Sequence, residues 1–154
     1  MKNLFYILPI SLLFTSPLTS LQSSSPETRY EKRELHDPDG IGIFYMGREI
    51  AKVMGHQAFE WLERPTREKE ERTDLLLKEM QLKPGEIVAD IGAGSGFFSW
   101  RMAKAVAPEG KVYAVEIQQE MLDLIALAMK KHDTPNIVPT LGTTSDPKLP
   151  ENTI

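Results

Sequence analysis

From residue 82 onward the apolar positions alternate between two rhythms. Ile87-Val88-Ala89-Asp90-Ile91 is a short, nearly continuous apolar run broken by one acid, the pattern of a strand buried on both faces. Phe97, Phe98, Trp100, Met102, Ala103 and Val106 then recur at helical spacing and predict a helix over Gly96–Val106. Lys111–Glu116 is a second apolar run ending in an acid. Met121, Leu122, Leu124, Ile125, Ala128 and Met129 predict a helix over Glu120–Lys131, and Asn136–Leu141 reads as a third strand. Strand, helix, strand, helix, strand with short turns predicts an α/β fold, a doubly wound parallel sheet with right-handed crossovers. Upstream, Ile50, Val53, Met54, Phe59 and Leu62 recur at three-to-five spacing and predict an amphipathic helix over Met46–Leu62, with Glu49, Lys52, Gln57 and Glu60 on its other side. Gly47 and Gly55 are poor interior residues for that helix, at about 1 kcal/mol each relative to Ala. Leu75, Leu76, Leu77 and Met80 extend an N-terminal helical segment, 41–81, to the edge of the sheet domain, 82–154.

The first 25 residues have a different pattern. Lys2 is the only charge before Glu27, Leu4–Phe14 is apolar apart from Pro9 and Ser11, and small or polar residues follow. This is the shape of a signal peptide or N-terminal anchor, which predicts export to the periplasm or medium; without it the chain is expected in the cytoplasm. Pro9, Pro17 and the short apolar core argue against a stable membrane span. Residues 26–40 read as linker and turn. Asp37-Pro38-Asp39-Gly40 lacks the later Glu of a calcium loop, and no metal site is expected.

The candidate chemistry sits between the first strand and its helix. Gly92, Gly94 and Gly96 alternate with Ala93 and Ser95 directly after Ile91, giving D-x-G-x-G-x-G from Asp90 onward. Such a turn brings backbone close to a ligand and aims a helix N-terminus at it. A dinucleotide fingerprint would place its third glycine at Phe97. The spacing and the acids resemble the class I S-adenosylmethionine-dependent methyltransferases, from Leu82 to about Leu141. That resemblance implies a Rossmann-like methyltransferase fold and S-adenosylmethionine as cofactor. It places Gly92, Ala93, Gly94, Ser95 and Gly96 around the methionine end and Asp90 near the amino group. Glu116, with Ile117 beside it, falls at the ribose. Asp146 is the loosest assignment, near the adenine. Tyr45, Arg48 and His56 are candidate pocket residues on the preceding helical segment, although a lone His on a helix is more often structural. The resemblance also implies in-line attack of an acceptor on the sulfonium methyl. It expects a fourth strand beside the first, so the α/β domain reads as truncated after the third strand.

Composition changes this picture little. The 154 residues carry 22 acidic and 18 basic side chains, a formal charge of −4, and no cysteine. Disulfide and thiol chemistry are excluded, and the charge disfavours sequence-independent nucleic-acid binding. A small-molecule or protein acceptor is the expected partner. Two alternatives stand beside methyl transfer. One is an exported, non-catalytic module that binds an adenosine-type ligand or a protein. The other is a nicotinamide-dependent oxidoreductase, which Phe97 opposes.

Overall fold

The computed structural model describes residues 29–152 and 154, and the expected signal segment, residues 1–25, therefore lies outside the described residues. The chain divides into two compact units, up to Lys52 and from Val53 onward.

The first unit is an antiparallel sheet of β1 (Tyr30–Lys32), β2 (Gly40–Tyr45) and β3 (Arg48–Ala51), in that order. Met46 and Gly47 both take positive φ, 50° and 80°, which is the two-residue hairpin turn that matches strand twist. Glu49 holds the opposite end of the hairpin. Its carboxylate accepts the N–H groups of Asp37 (2.9 Å) and Gly42 (2.8 Å). The Asp37 N–H leads the effects that hold its pKa below the ordinary value. Asp39 N–H donates to Asp37 Oδ1 at 2.8 Å, closing the expected turn.

This sheet corrects the expected helix over Met46–Leu62. Helical spacing of five apolar residues loses to a left-handed Met-Gly turn that only a hairpin satisfies. Gly47 and Gly55 stand at element boundaries, where glycine is not penalised as it is within a helix. Residues 26–40 likewise contain a strand, β1. The segment 41–81 is helical only in part: a short 3-10 turn His56–Ala58, then α1 (Phe59–Leu62), α2 (Arg67–Glu71) and α3 (Thr73–Glu79). Arg72 at φ 51° separates α2 from α3.

The second unit carries the predicted parallel sheet. It consists of β4 (Ile87–Ile91), α4 (Ser99–Val106), β5 (Lys111–Glu116), α5 (Gln119–His132) and β6 (Ile137–Leu141). The strand order is β4-β5-β6, with Ile91 opposite Val115 and Glu116 opposite Leu141. Helix α4 packs on all three strands and α5 on β5 and β6, and the helices touch each other, so both cover one face. The core beneath them is Met102, Ala103 and Val106 of α4, Val112 and Ala114 of β5, Leu122 and Ile125 of α5, and Ile137 of β6. Burying each large side chain contributes about 1.5–3 kcal/mol. Among the described residues no helix is long and apolar enough to cross a membrane.

Candidate cofactor site

The strand tips, the glycine loop and the chain before α1 border an open cavity of about 610 Å³. Such a volume suits a small ligand or cofactor. Its walls include Ile91, Gly92 and Gly94 from the first crossover, and Val115, Glu116, Ile117 and Gln118 from the end of β5. Val53, Met54, Leu62, Met121 and the 143–147 loop complete it.

The glycine loop is shaped by its own hydrogen bonds. Gly92 and Ala93 both donate to the Val115 carbonyl at 2.9 Å, and Gly96 donates to the Ala93 carbonyl at 2.9 Å. Gly94 has φ 55°, and a Cβ there would lie 3.0 Å from Leu62 Cδ1. Gly96 has φ 86°, and a Cβ there would lie 3.0 Å from Ile125 Cγ1. Backbone conformation and close packing therefore both favour glycine at Gly96, and at Gly94 the approach of Leu62 adds to a left-handed backbone. Helix α4 begins at Ser99, three residues later than the expected Gly96, because Phe97 and Phe98 form a turn before it. The Gly92, Ala93 and Gly96 N–H groups are thus spent within the fold, so these three positions offer a ligand shape rather than free donors.

Glu116 is the polar centre of the cavity. It is 7% exposed, which rules out a solvated strand end. Its Oε2 accepts Gly94 N–H at 3.0 Å, and its Oε1 accepts Ile117 N–H at 2.7 Å and Gln118 N–H at 3.1 Å. Three charge-assisted bonds from backbone fix the carboxylate and compensate its burial. A carboxylate has about four lone-pair sites, so acceptor capacity remains for a ligand hydroxyl. Ile117, 36% exposed, presents an apolar side chain beside it.

Asp90 is built differently. Ser99 Oγ–H donates to its Oδ2 at 2.6 Å, which ties the end of β4 to the first turn of α4. Burial pushes its pKa above the ordinary value; the Ser99 bond opposes this and the nearby Glu116 charge adds to it. Asp90 is not among the residues that line the cavity. Ser95 is buried and its hydroxyl donates to Glu63, so its side chain is committed to the end of α1. Ala93 packs in the core. Asp146 does line the cavity, but its carboxylate is taken by Lys148, through the backbone N–H at 2.8 Å and Nζ at 2.6 Å. The Lys148 side chain also leads the effects that hold its pKa low.

His56 stands next to the cavity without lining it. Its N–H donates to Gln118 Oε1 at 2.9 Å, and its ring Nδ1 lies 3.8 Å from Glu120. Tyr45 and Arg48 flank the hairpin turn of the first unit, directly opposite each other in register, and do not sit on a helix. Sequence reasoning missed Val53, Met54, Leu62, Gln118 and Met121 as cavity walls, and Glu63 as the partner of Ser95. Only Gln118, two residues after the acid, carried a positional hint. Among the described residues no group of three His, Cys, Asp or Glu is placed to hold a metal.

The site fits an adenosine-type cofactor on its own geometry. A fixed carboxylate suits a diol, apolar walls suit a purine, and a close-packed glycine loop admits ligand against backbone. The chain is similar to a solved structure of an S-adenosylmethionine-dependent methyltransferase from Aquifex aeolicus, at 30% identity and a TM-score of 0.61, covering 66% of this chain and 54% of that one. It is 37% identical over 73 residues to an rRNA 2'-O-methyltransferase fibrillarin of Eremothecium gossypii, 47% of this chain and 22% of that protein. It is 34% identical over 77 residues to a protein-L-isoaspartate O-methyltransferase of Aeropyrum pernix, 50% of this chain and 30% of that protein. The chain thus spans less than a third of the length of these two curated relatives. The family model described as Fibrillarin matches residues 72–153, more than half of the chain and the whole of the glycine loop, β5, α5 and β6. The chain belongs to the fibrillarin family of S-adenosylmethionine-dependent methyltransferases, and its cofactor is S-adenosylmethionine.

Proposed function

We propose that this protein transfers the methyl group of S-adenosylmethionine to a small-molecule or protein acceptor. The observation that carries this reading is the buried Glu116 carboxylate, held by three backbone N–H groups and opening on an apolar cavity beside the glycine loop. When bound, the cofactor supplies an activated methyl on a sulfonium centre. The chain's residues supply position. Glu116 would accept the ribose hydroxyls, Ile117 and Met54 would face the nucleoside, and Gly92 and Gly94 would admit the rest of the ligand against backbone. Asp90, held by Ser99 and outside the cavity lining, would act on the amino group only through water. Orientation of this kind is the main contribution a methyl-transfer site makes. Family membership removes the nicotinamide reading.

A nucleic-acid acceptor is the second reading, favoured by the rRNA-modifying relative. Against it, two largely covered guanidinium groups are already committed to carboxylates. Arg64 pairs with Glu70 at 2.8 Å and Glu71 at 2.6 Å, and Arg67 pairs with Glu71 at 2.9 Å. Phosphate contacts need cations free to replace counterions. We further propose that Met1–Ser25 directs export, to be tested by fusion to a reporter active only outside the cytosol.

Calorimetric titration of the full chain with S-adenosylmethionine, S-adenosylhomocysteine and NAD tests the cofactor arm, and tighter binding of NAD would overturn it. Transfer of radiolabelled methyl into protein, RNA and small-molecule fractions tests the acceptor. Label in RNA alone would replace the first reading with the second. Binding without transfer to any fraction would support the non-catalytic module.

A further inference from the structure

One side chain fastens one wall of the cavity. Lys52 N–H and Nζ end the ordered pairing of the first unit, on the carbonyls of Asp39 and Pro38. Residues 53–55 then run without regular secondary structure to the 3-10 turn at His56. Val53 and Met54 lie on this strap, line the cavity, and remain 63% and 38% exposed. The strap is tied down by the Gln118 amide. Gln118 Nε2 donates to the Met54 carbonyl at 2.9 Å, and Gln118 Oε1 accepts His56 N–H at 2.9 Å. A primary amide offers a donor and an acceptor side by side, so it engages an extended backbone in two-point fashion. Gln118 is also two residues past Glu116, and its own N–H donates to the Glu116 carboxylate. The strap is thereby held on the same side of the cavity as that carboxylate.

We propose that Gln118 is a positioning residue for cofactor binding: its two-point bond to the 54–56 backbone sets Val53 and Met54 as an apolar wall against the nucleoside of S-adenosylmethionine. The proposal rests on the cofactor reading. Exposed apolar atoms on an open cavity wall gain most from a flat, weakly polar ring, and the thioether of Met54 is well suited to an aromatic face. The bond is made by neutral groups at the rim, so it opens and closes without unfolding the sheet. It holds the ligand in place once bound, and its loss therefore appears mainly in the rate of departure.

The experiment uses the full chain and two variants, Gln118→Leu, which removes both bonds, and Gln118→Glu, which keeps the acceptor for His56 N–H and sets a carboxylate oxygen against the Met54 carbonyl. Amide hydrogen exchange at His56, without ligand, reads the tie directly. Exchange is expected to rise at least about tenfold in Gln118→Leu and less in Gln118→Glu. Displacement of radiolabelled S-adenosylmethionine by excess S-adenosylhomocysteine reads the wall. Dissociation is expected to quicken about three- to tenfold in Gln118→Leu, with association changed less than about twofold. Exchange at His56 that is equally fast in parent and variants overturns the proposal, as does an unchanged dissociation rate in a variant whose strap has loosened. A parent chain that retains its far-ultraviolet circular dichroism and binds no S-adenosylmethionine overturns the cofactor reading instead.

Discussion

β4 and β5 look alike in sequence and differ in the fold. Each is a short apolar run that ends near an acid. In β5, Val112, Ala114 and Val115 are at most 3% exposed, because β4 and β6 flank it on both sides and α4 and α5 both pack on it. In β4, Ile87 is 42% and Ile91 63% exposed, and among the described residues no strand pairs with its other edge. The acids differ in the same way. Glu116 on β5 holds three backbone N–H groups, whereas Asp90 on β4 holds one hydroxyl and is raised in pKa by burial. Apolar composition states how much burial a strand seeks; its neighbours decide how much it gets. The acid on the fully flanked strand becomes a structural anchor, and the acid on the half-flanked strand remains an uneasy charge.

The largest effect is expected at the β5 acid. Glu116→Ala orphans the Gly94, Ile117 and Gln118 N–H groups and should lower stability by about 3 kcal/mol. It should also weaken S-adenosylmethionine binding by about 1.5–3 kcal/mol, a ten- to hundredfold rise in Kd. Glu116→Gln should lose part of both, since its amide NH₂ cannot accept. Chemical denaturation and calorimetry separate the two losses; a variant as stable as the parent would break the contrast at its strongest point.

Next comes a matched pair on one rung of the sheet, Ile91 opposite Val115. Val115→Ala should reduce stability by about 2 kcal/mol and Ile91→Ala by less than about 1 kcal/mol, although Ile91 is the larger residue. Equal losses in urea denaturation would mean that flanking strands do not set the difference.

Asp90 supplies a pH test. Its folded pKa is raised, so the folded state resists its ionisation more than the unfolded state does. Its contribution is most favourable below the unfolded value and is lost as pH rises from there through the folded pKa. Asp90→Asn should therefore be neutral to stabilising at pH 7, with the gain over the parent disappearing as pH falls below about 3.8. The same change should weaken cofactor binding, if the carboxylate reaches the ligand's amino group through water. Thermal denaturation across pH 3–8, with titration at pH 7, checks both; a variant less stable at pH 7 than at pH 3 relative to the parent would reverse the sign.

The smallest effect concerns the edge of β4 that no strand pairs with among the described residues. An unpaired strand edge with exposed isoleucines invites edge-to-edge association. Ile87→Lys should change stability by no more than about 0.5 kcal/mol and reduce concentration-dependent light scattering. Scattering unaltered by this charge would place self-association elsewhere.

The crossovers were legible because their signals are local. β5 and β6 match their expected spans closely, and α5 begins and ends within a residue or so of its periodic run. The glycine spacing named the cofactor class for the same reason. The hairpin was not legible: Ile50, Val53 and Met54 fit a helix as well as a strand and strap, and the deciding feature is positive φ at Met46, a residue with no special liking for it. Nor was the role of Gln118, whose partner Met54 is 64 residues earlier in the chain. Asp90 and Glu116 were given different ligand roles, but not their different degrees of anchoring, because the number of N–H groups that converge on each is set by the turn of the chain around it.

The three N–H groups on Glu116 have a consequence for the heat and disorder of ligand capture. Immobilising a glutamate side chain forfeits up to about 2 kcal/mol of rotamer freedom. Here that loss occurs when β5 and the glycine loop come together, because Gly94, Ile117 and Gln118 fix the carboxylate at that moment. A diol arriving later meets an acceptor that has little left to surrender. Capture at this end of the cavity should accordingly be exothermic with a small entropic penalty, and the side chain that receives the nucleoside is ordered by the act of folding.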